Sequence, residues 1–117
     1  MYFKVDTLDI GRSGAACLAS SNIEQHHGKY YEMNGPVELR GTEIARIFSN
    51  VLGRDIKFVP LDIDTARSKM PKALSEIYDY LMENPEHPLP FNDDIKNLTG
   101  QQSHLEQFLQ RHKSKFI

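Results

Sequence analysis

The sequence predicts an α/β fold that is mostly helical and contains two or three short strands. The strongest signal is a helical apolar stripe, with side chains recurring every three or four residues: Ile44, Ile47, Phe48 and Val51. Gly53 follows this stripe, where a left-handed residue ends a helix without steric cost. Ile56 and Phe58 then alternate with charged residues, which is typical of a short strand. Phe48 lies in the middle of the stripe and is expected to anchor the core.

Further helices are predicted on both sides of this central helix. A first helix begins at Asp9, a residue suited to cap it, and runs to about Ala19. Its many small side chains, two glycines among them, predict close packing against another backbone. A later helix carries a second apolar stripe, which is expected to be part of the core and consists of Leu74, Ile77, Tyr78, Leu81 and Met82. Ser103 and Glu106 have the spacing of a capping box before the last helix.

Length, composition and charge restrict the possible functions. The 117 residues predict one domain, residues 1–117, and the 39% hydrophobic and 26% charged residues predict a globular chain. The net charge of −2 disfavours binding to nucleic acid, whose partners carry basic patches. The single cysteine rules out an internal disulfide and favours a reducing compartment. With no apolar run of about 20 residues, these features predict a cytoplasmic protein that does not cross a membrane.

Residues 11–17 imitate the glycine-rich turn of a dinucleotide site, but their context disfavours that function. Such a turn follows a buried apolar strand and has a third glycine or alanine. Asp6 and Asp9 interrupt the preceding run, and Cys17 stands at the third position. We therefore predict that this segment packs as a helix and that no residue of the chain binds a cofactor.

The usual catalytic and metal-binding patterns are also missing from the sequence. None of the five tyrosines is followed four residues later by a lysine. Cys17 lies on the small-residue helix, where a buried and unreactive thiol is expected. His26 and His27 are adjacent but have no cysteine cluster near them in the sequence. The sequence thus predicts neither catalytic residues nor metal ligands.

The segment from Pro85 to Asn92 is the most informative loop. It contains three prolines, and it places Leu89 and Phe91 in polar surroundings. We take these two residues, with Tyr78 on the preceding helix, as candidates for contact with a substrate. A packed connector remains the alternative for the loop, and a core position remains the alternative for Tyr78.

Several segments, taken together and in order, resemble a known family. They are residues 5–11, residues 28–36, Glu43-Ile44-Ala45, residues 51–54 and Leu98-Thr99-Gly100. Their order and spacing are similar to the C-terminal half of NmrA-like proteins. These are atypical short-chain dehydrogenase/reductase relatives that include NAD(P)H-dependent quinone and azo-dye reductases. The resemblance implies the last strand of a Rossmann sheet followed by a substrate-facing lobe, without the nucleotide-binding half.

Three functions are compatible with this resemblance. The first is a truncated NmrA-like protein that serves as a substrate-lobe or partner-binding module without its own dinucleotide site. The second is a fragment of a complete NAD(P)H-dependent oxidoreductase of the quinone or azo-dye reductase type. The third is a redox-sensing regulatory interaction module. NADP or NAD is implied for a full-length relative and not for the isolated chain.

The resemblance also predicts a binding edge. Residues Tyr30–Asn34 match the last strand of a sheet whose other strands would lie upstream. An unpaired strand edge exposes N–H and C=O groups that can pair with another chain. We therefore expect a homodimer, or a complex with a protein partner, through Tyr30–Asn34.

Overall fold

A computed structural model describes residues 2–83 and 92–117. It is mostly helical, as predicted, with two very short strands in these residues. The elements are β1 (Tyr2–Phe3), α1 (Thr7–Leu18), β2 (Glu38–Leu39), α2 (Gly41–Leu52), α3 (Ile63–Lys69), α4 (Lys72–Glu83), α5 (Asp94–Thr99) and α6 (Leu105–His112). Single 3-10 turns occupy Ile23–His26 and Lys113–Lys115. No helix in the described ranges has both the length and the apolar character to cross a membrane.

The two strands pair antiparallel, but they do not lie where the sequence predicted. Tyr2 stands opposite Leu39, and Phe3 stands opposite Glu38. This pairing brings the start of the chain beside the entry to α2. The fold class is thus confirmed, while the predicted strand positions need correction.

The strand predicted at Tyr30–Asn34 does not form. This segment is irregular, and side chains of other segments bond two of its backbone groups. The Glu32 N–H donates to the Asp94 carboxylate at 2.9 Å, and the Asn34 carbonyl accepts from the Gln102 amide at 2.6 Å. Because these groups already have partners, they do not form the unpaired edge that we expected. The dimer or partner complex remains a prediction, but Tyr30–Asn34 offers no strand edge for it.

The strand predicted at residues 56–58 is also absent, for a similar reason. The Ser49 hydroxyl on α2 accepts the Ile56 N–H at 2.9 Å, so this backbone group is bound locally rather than in a ladder. Phe58 instead lies against Gly41 at the start of α2. A Cβ at Gly41 would lie only 2.3 Å from the Phe58 ring, which explains the glycine there.

The central helix α2 forms as predicted. It ends at Gly53, whose φ of 69° is left-handed. At its start, the Arg40 N–H donates to the Glu43 carboxylate at 2.7 Å. This bond completes half of a capping box, although residue 40 is an arginine.

The core lies where α2 meets α6. Its buried members are Leu39, Ile47, Val51 and Leu109. Leu109 on α6 has no exposed surface and occupies the centre. Phe48 is only partly buried and packs edge-to-face against Phe116, with ring centroids 5.6 Å apart. Phe48 therefore borders the core rather than anchoring it, because α6 and not a strand covers the α2 stripe.

Two predicted helix starts are wrong. Asp6, not Asp9, caps α1, and its carboxylate accepts the Leu8 N–H at 3.0 Å. Likewise α6 is capped at His104, whose N–H donates to the Gln107 side chain at 2.7 Å, rather than by Ser103 and Glu106. In both cases the predicted capping residue is buried in a contact with a distant segment.

Contacts divide the chain into two compact units. One contains β1, α1, β2, α2, α5 and α6, and the other contains α3 and α4. In the second unit an ion pair between Arg67 and Asp79 joins the two helices. Leu74, Ile77 and Met82 of α4 are all more than half exposed, so the α4 stripe is not the core that we expected. The seven-residue α3 is too short to cover the whole length of the twelve-residue α4. The single domain stays a prediction.

Truncating Leu109 tests the placement of the core. We expect Leu109→Ala to lower the free energy of unfolding by about 2–5 kcal/mol, because it leaves a cavity in a closed environment. Leu18→Ala is the matched control, since this leucine on α1 is 81% exposed, and it should change stability by less than about 0.5 kcal/mol. Urea denaturation measures both. Equal losses from the two variants would mean that the core lies elsewhere.

Candidate functional site

Two carboxylates at the start of α1 are the most deeply buried charged groups among the described residues. Asp6 is 5% exposed and Asp9 is 1% exposed. Asp6 precedes α1 and, besides capping it, forms an ion pair with the guanidinium of Arg111 on α6. This contact joins residues 105 positions apart in the chain.

Asp9 forms a second and more deeply buried contact. Its Oδ2 accepts the Ser103 N–H at 2.6 Å, and its Oδ1 accepts the Ser103 hydroxyl at 3.0 Å. One turn later, the Ser13 hydroxyl donates to the Asp9 carbonyl at 2.8 Å. Buried charge is costly unless it is hydrogen-bonded, and here both carboxylate oxygens have partners. We call the set Asp6, Asp9, Ser103 and Arg111 the carboxylate network.

The environment of Asp6 lowers its pKa. Burial alone would raise the pKa, but the Leu8 N–H and the Arg111 guanidinium stabilise the charged form more strongly. The net result is a pKa below the ordinary 3.8. At neutral pH Asp6 is therefore a charged, fully engaged carboxylate, which suits a structural role better than that of a general base.

A small cleft lies beside this network, between the entry to α1 and the start of α6. Its volume is about 120 Å³, and its lining residues are Lys4, Val5, Asp6, Ser103, His104, Leu105 and Phe108. A cavity of roughly this size holds a single aromatic ring. Typical cofactor and substrate pockets are several times larger, at about 300–1,000 Å³. The cleft therefore suits one ring or a short apolar group with a polar end.

Residues 11–17 do not form the glycine-rich turn of a dinucleotide site. Residues 11–17 lie inside α1 rather than in a turn between a strand and a helix, so their N–H groups are committed to the helix. The start of α1 is also occupied, because the Asp6 carboxylate accepts the Leu8 N–H and would repel a phosphate. The glycine motif is thus a helical segment, as the sequence predicted.

The close packing predicted for this helix is present against α5, but the two glycines take no part in it. A Cβ placed on Gly11 or Gly14 would meet no other atom within 4 Å. These glycines face outward, and no other backbone of the described chain approaches them. Their side of α1 is open because the helix packs through its opposite side.

Cys17 and the adjacent histidines lie around an open depression at the end of α1. Cys17 is partly buried, and it lines this depression with Ile23, His26 and His27. The Nδ1 of His26 lies 2.7 Å from the Tyr31 hydroxyl, which engages that nitrogen. Among residues 2–83 and 92–117, no group of three His, Cys, Asp or Glu side chains is placed to hold a metal ion.

The described structure does not test the three substrate candidates. Leu89 and Phe91 fall outside the described residues. Tyr78 is partly buried on α4, in the unit formed by α3 and α4. Their role in binding a substrate stays a prediction.

Sequence reasoning missed the partners of both buried carboxylates. The sequence predicts Ser103 as a helix cap. Arg111 lies in the last turn of α6, where cations are common. No local pattern links these residues to Asp6 and Asp9, because about a hundred residues separate them. The only available signal was that Asp6 and Asp9 interrupt an apolar run, because carboxylates buried there would need hydrogen-bond donors.

Comparison with known proteins relates the chain to part of an oxidoreductase. No family model matches it, and no solved structure matches it significantly. A curated relative does: the chain is 23% identical over 121 residues to the NAD(P)H azoreductase of Xenophilus azovorans. This match covers 97% of the chain but only 42% of the azoreductase. The chain thus spans less than half the length of the curated relative that it matches.

The lowered pKa of Asp6 predicts a specific pH dependence. Because the folded pKa lies below the ordinary 3.8, the stability that Asp6 contributes is fully present above that pH and is lost as the pH falls through the folded value. Asp6→Asn should therefore be less stable than the wild type at neutral pH, and the difference should narrow in acid.

Urea unfolding between about pH 7 and about pH 2.5 measures this difference. The control is Asp55→Asn, whose carboxylate is 77% exposed; its stability should run parallel to that of the wild type. A gap between Asp6→Asn and the wild type that stays constant with pH would contradict the assigned ion pair.

Proposed function

We propose that this chain is the substrate-facing, partner-binding lobe of an NmrA-like oxidoreductase, and that it acts together with a nucleotide-binding unit. NADP or NAD would bind to that unit rather than to the residues of this chain. The lobe would supply packing surface and contacts to the substrate. Its single thiol, Cys17, favours a reducing, cytoplasmic location.

The observation that carries this proposal is the extent of the match. Similarity to an NAD(P)H azoreductase runs along 97% of the chain yet covers 42% of that protein. A match of this kind is expected when one lobe of a larger protein is compared with the whole. The same observation is compatible with a fragment of a complete quinone or azo-dye reductase, which differs only in whether both parts belong to one polypeptide.

The geometry of the described residues supports a nucleotide site on another unit. The 120 Å³ cleft beside the carboxylate network is smaller than a typical cofactor pocket, and the start of α1 is capped by the Asp6 carboxylate. The buried carboxylates Asp9 and Asp6 are engaged with Ser103 and Arg111. A lobe of this kind would need the nucleotide and the hydride chemistry from elsewhere.

Calorimetry with NADPH and NADH tests the proposal. The isolated 117-residue chain should give no saturable heat up to about 1 mM cofactor, which corresponds to binding weaker than about −4 kcal/mol. A hybrid in which the chain replaces the matched segment of the azoreductase should bind NADPH. Binding by the isolated chain at low micromolar concentration, or a folded hybrid that does not bind, would contradict the proposal.

A further inference from the structure

Helix α1 has its polar side inward and its apolar side outward. Asp9 and Ser13, the buried residues of this helix, are each 1% exposed. On the other side Leu8 is 40% exposed and Leu18 is 81% exposed. A surface helix of a globular protein normally has the opposite arrangement, with its apolar stripe against the core.

The carboxylate network explains the inward polar side. Asp9 must face the Ser103 N–H and hydroxyl, and Ser13 lies one turn further along the same side. This orientation fixes the rotation of α1 about its axis. The residues on the opposite side are then directed away from the chain.

Those outward residues form a continuous, uncharged strip. They are Leu8, Gly11, Ala15 and Leu18, and we call them the outer face of α1. Their spacing of three, four and three residues puts them on one side of the helix. The two charged residues of α1 lie off this strip, and Arg12 is directed toward the Asp9 carboxylate at 3.8 Å. The outer face has leucines at its ends and small residues at its centre, which permits close approach of another backbone.

We propose that the outer face of α1 is the surface on which the nucleotide-binding unit of an azoreductase-like oxidoreductase docks. This inference rests on the proposed function and adds the surface and the chemistry of its partner. The partner presents an uncharged, closely packed helix or sheet face. It corresponds to the part of the azoreductase that the match, at 42% of its length, leaves uncovered.

The size of the face favours this partner over a second copy of the chain. A 12-residue helix is about 18 Å long and, with side chains, about 10 Å wide. Two such faces bury a few hundred Å² at most, whereas stable complexes between separate proteins bury roughly 1,200–2,000 Å². A larger body can extend beyond the helix, and a unit in the same polypeptide needs less area because its effective concentration is high.

The surface next to Leu18 suits a partner broader than one helix. Leu18 also lines the depression with Ile23 and His26, and Ile23 is 56% exposed. The depression has a volume of about 340 Å³. Leu18 at the end of α1 and Ile23 on the following 3-10 turn both contribute apolar surface to it, beside the polar side chains of Glu24, His26 and His27.

Co-expression with the uncovered part of the Xenophilus azovorans azoreductase tests the docking surface. The tagged 117-residue chain should capture that part. Gly11→Glu should weaken capture at least tenfold, because it places a charge in the centre of the outer face. The control is Asn50→Glu, which introduces the same side chain at an exposed position of α2 and should leave capture unchanged.

The isolated Gly11→Glu chain should keep the melting temperature of the wild type or exceed it, since a Cβ there meets nothing within 4 Å and glycine disfavours helix. If it unfolds, Ala15→Glu replaces it in the same test. Capture unaffected by either charge overturns the docking surface, although NADPH binding by the hybrid would still uphold the proposed function. No capture by the wild type also overturns it. Sedimentation that shows a dimer dispersed by Gly11→Glu would assign the face to a second copy instead.

Discussion

The contact between Asp9 and Ser103 is the constraint on which the larger unit depends. A carboxylate that is 1% exposed needs donors, and the N–H and hydroxyl of one serine supply them across 94 residues of chain. This contact holds the first turn of α1 against the entry to α6. It also places Arg111 of α6 within reach of Asp6, so a second buried carboxylate gains its partner. Removing the donors from Asp9 would leave a buried charge without compensation, which costs more than an ordinary hydrogen bond.

The same contact decides which side of α1 is exposed. Fixing the polar side of α1 inward leaves Gly11 and Ala15 facing outward with open space around them. It also brings Asp6 and Ser103 together in the lining of the small cleft between α1 and α6. The outward side of α1 is the surface that we propose as the docking site, and the proposed function takes the nucleotide from another unit.

The sequence predicted what local chemistry decides and failed where distant partners decide. Helix α2 and its stop at Gly53 follow from spacing and from one left-handed residue, and both are confirmed. Residues 56–58 alternate in polarity as a strand does, but the Ile56 N–H donates to the Ser49 hydroxyl and not to a neighbouring strand. Asp9 and Ser103 are both residue types that cap helices, yet in the structure they hydrogen-bond to each other. Likewise the small residues of α1 predicted close packing, and the helix does pack against α5, but its two glycines lie on the opposite, open side.

Thiol accessibility on the two sides of α1 tests most directly whether the polar side of this helix faces inward. In a Cys17→Ala background, Ala15→Cys and Ser13→Cys place one thiol on the outer face and one on the inward side of the same helix. Their rates of reaction with a neutral alkylating reagent, each compared with the rate in the urea-unfolded chain, report the exposure of each side. We predict that the thiol at position 15 reacts at close to the unfolded rate, whereas the thiol at position 13 is strongly protected. Protection at position 15 together with rapid reaction at position 13 would mean that α1 packs through its apolar side, which would contradict the inward orientation of Asp9 and Ser13.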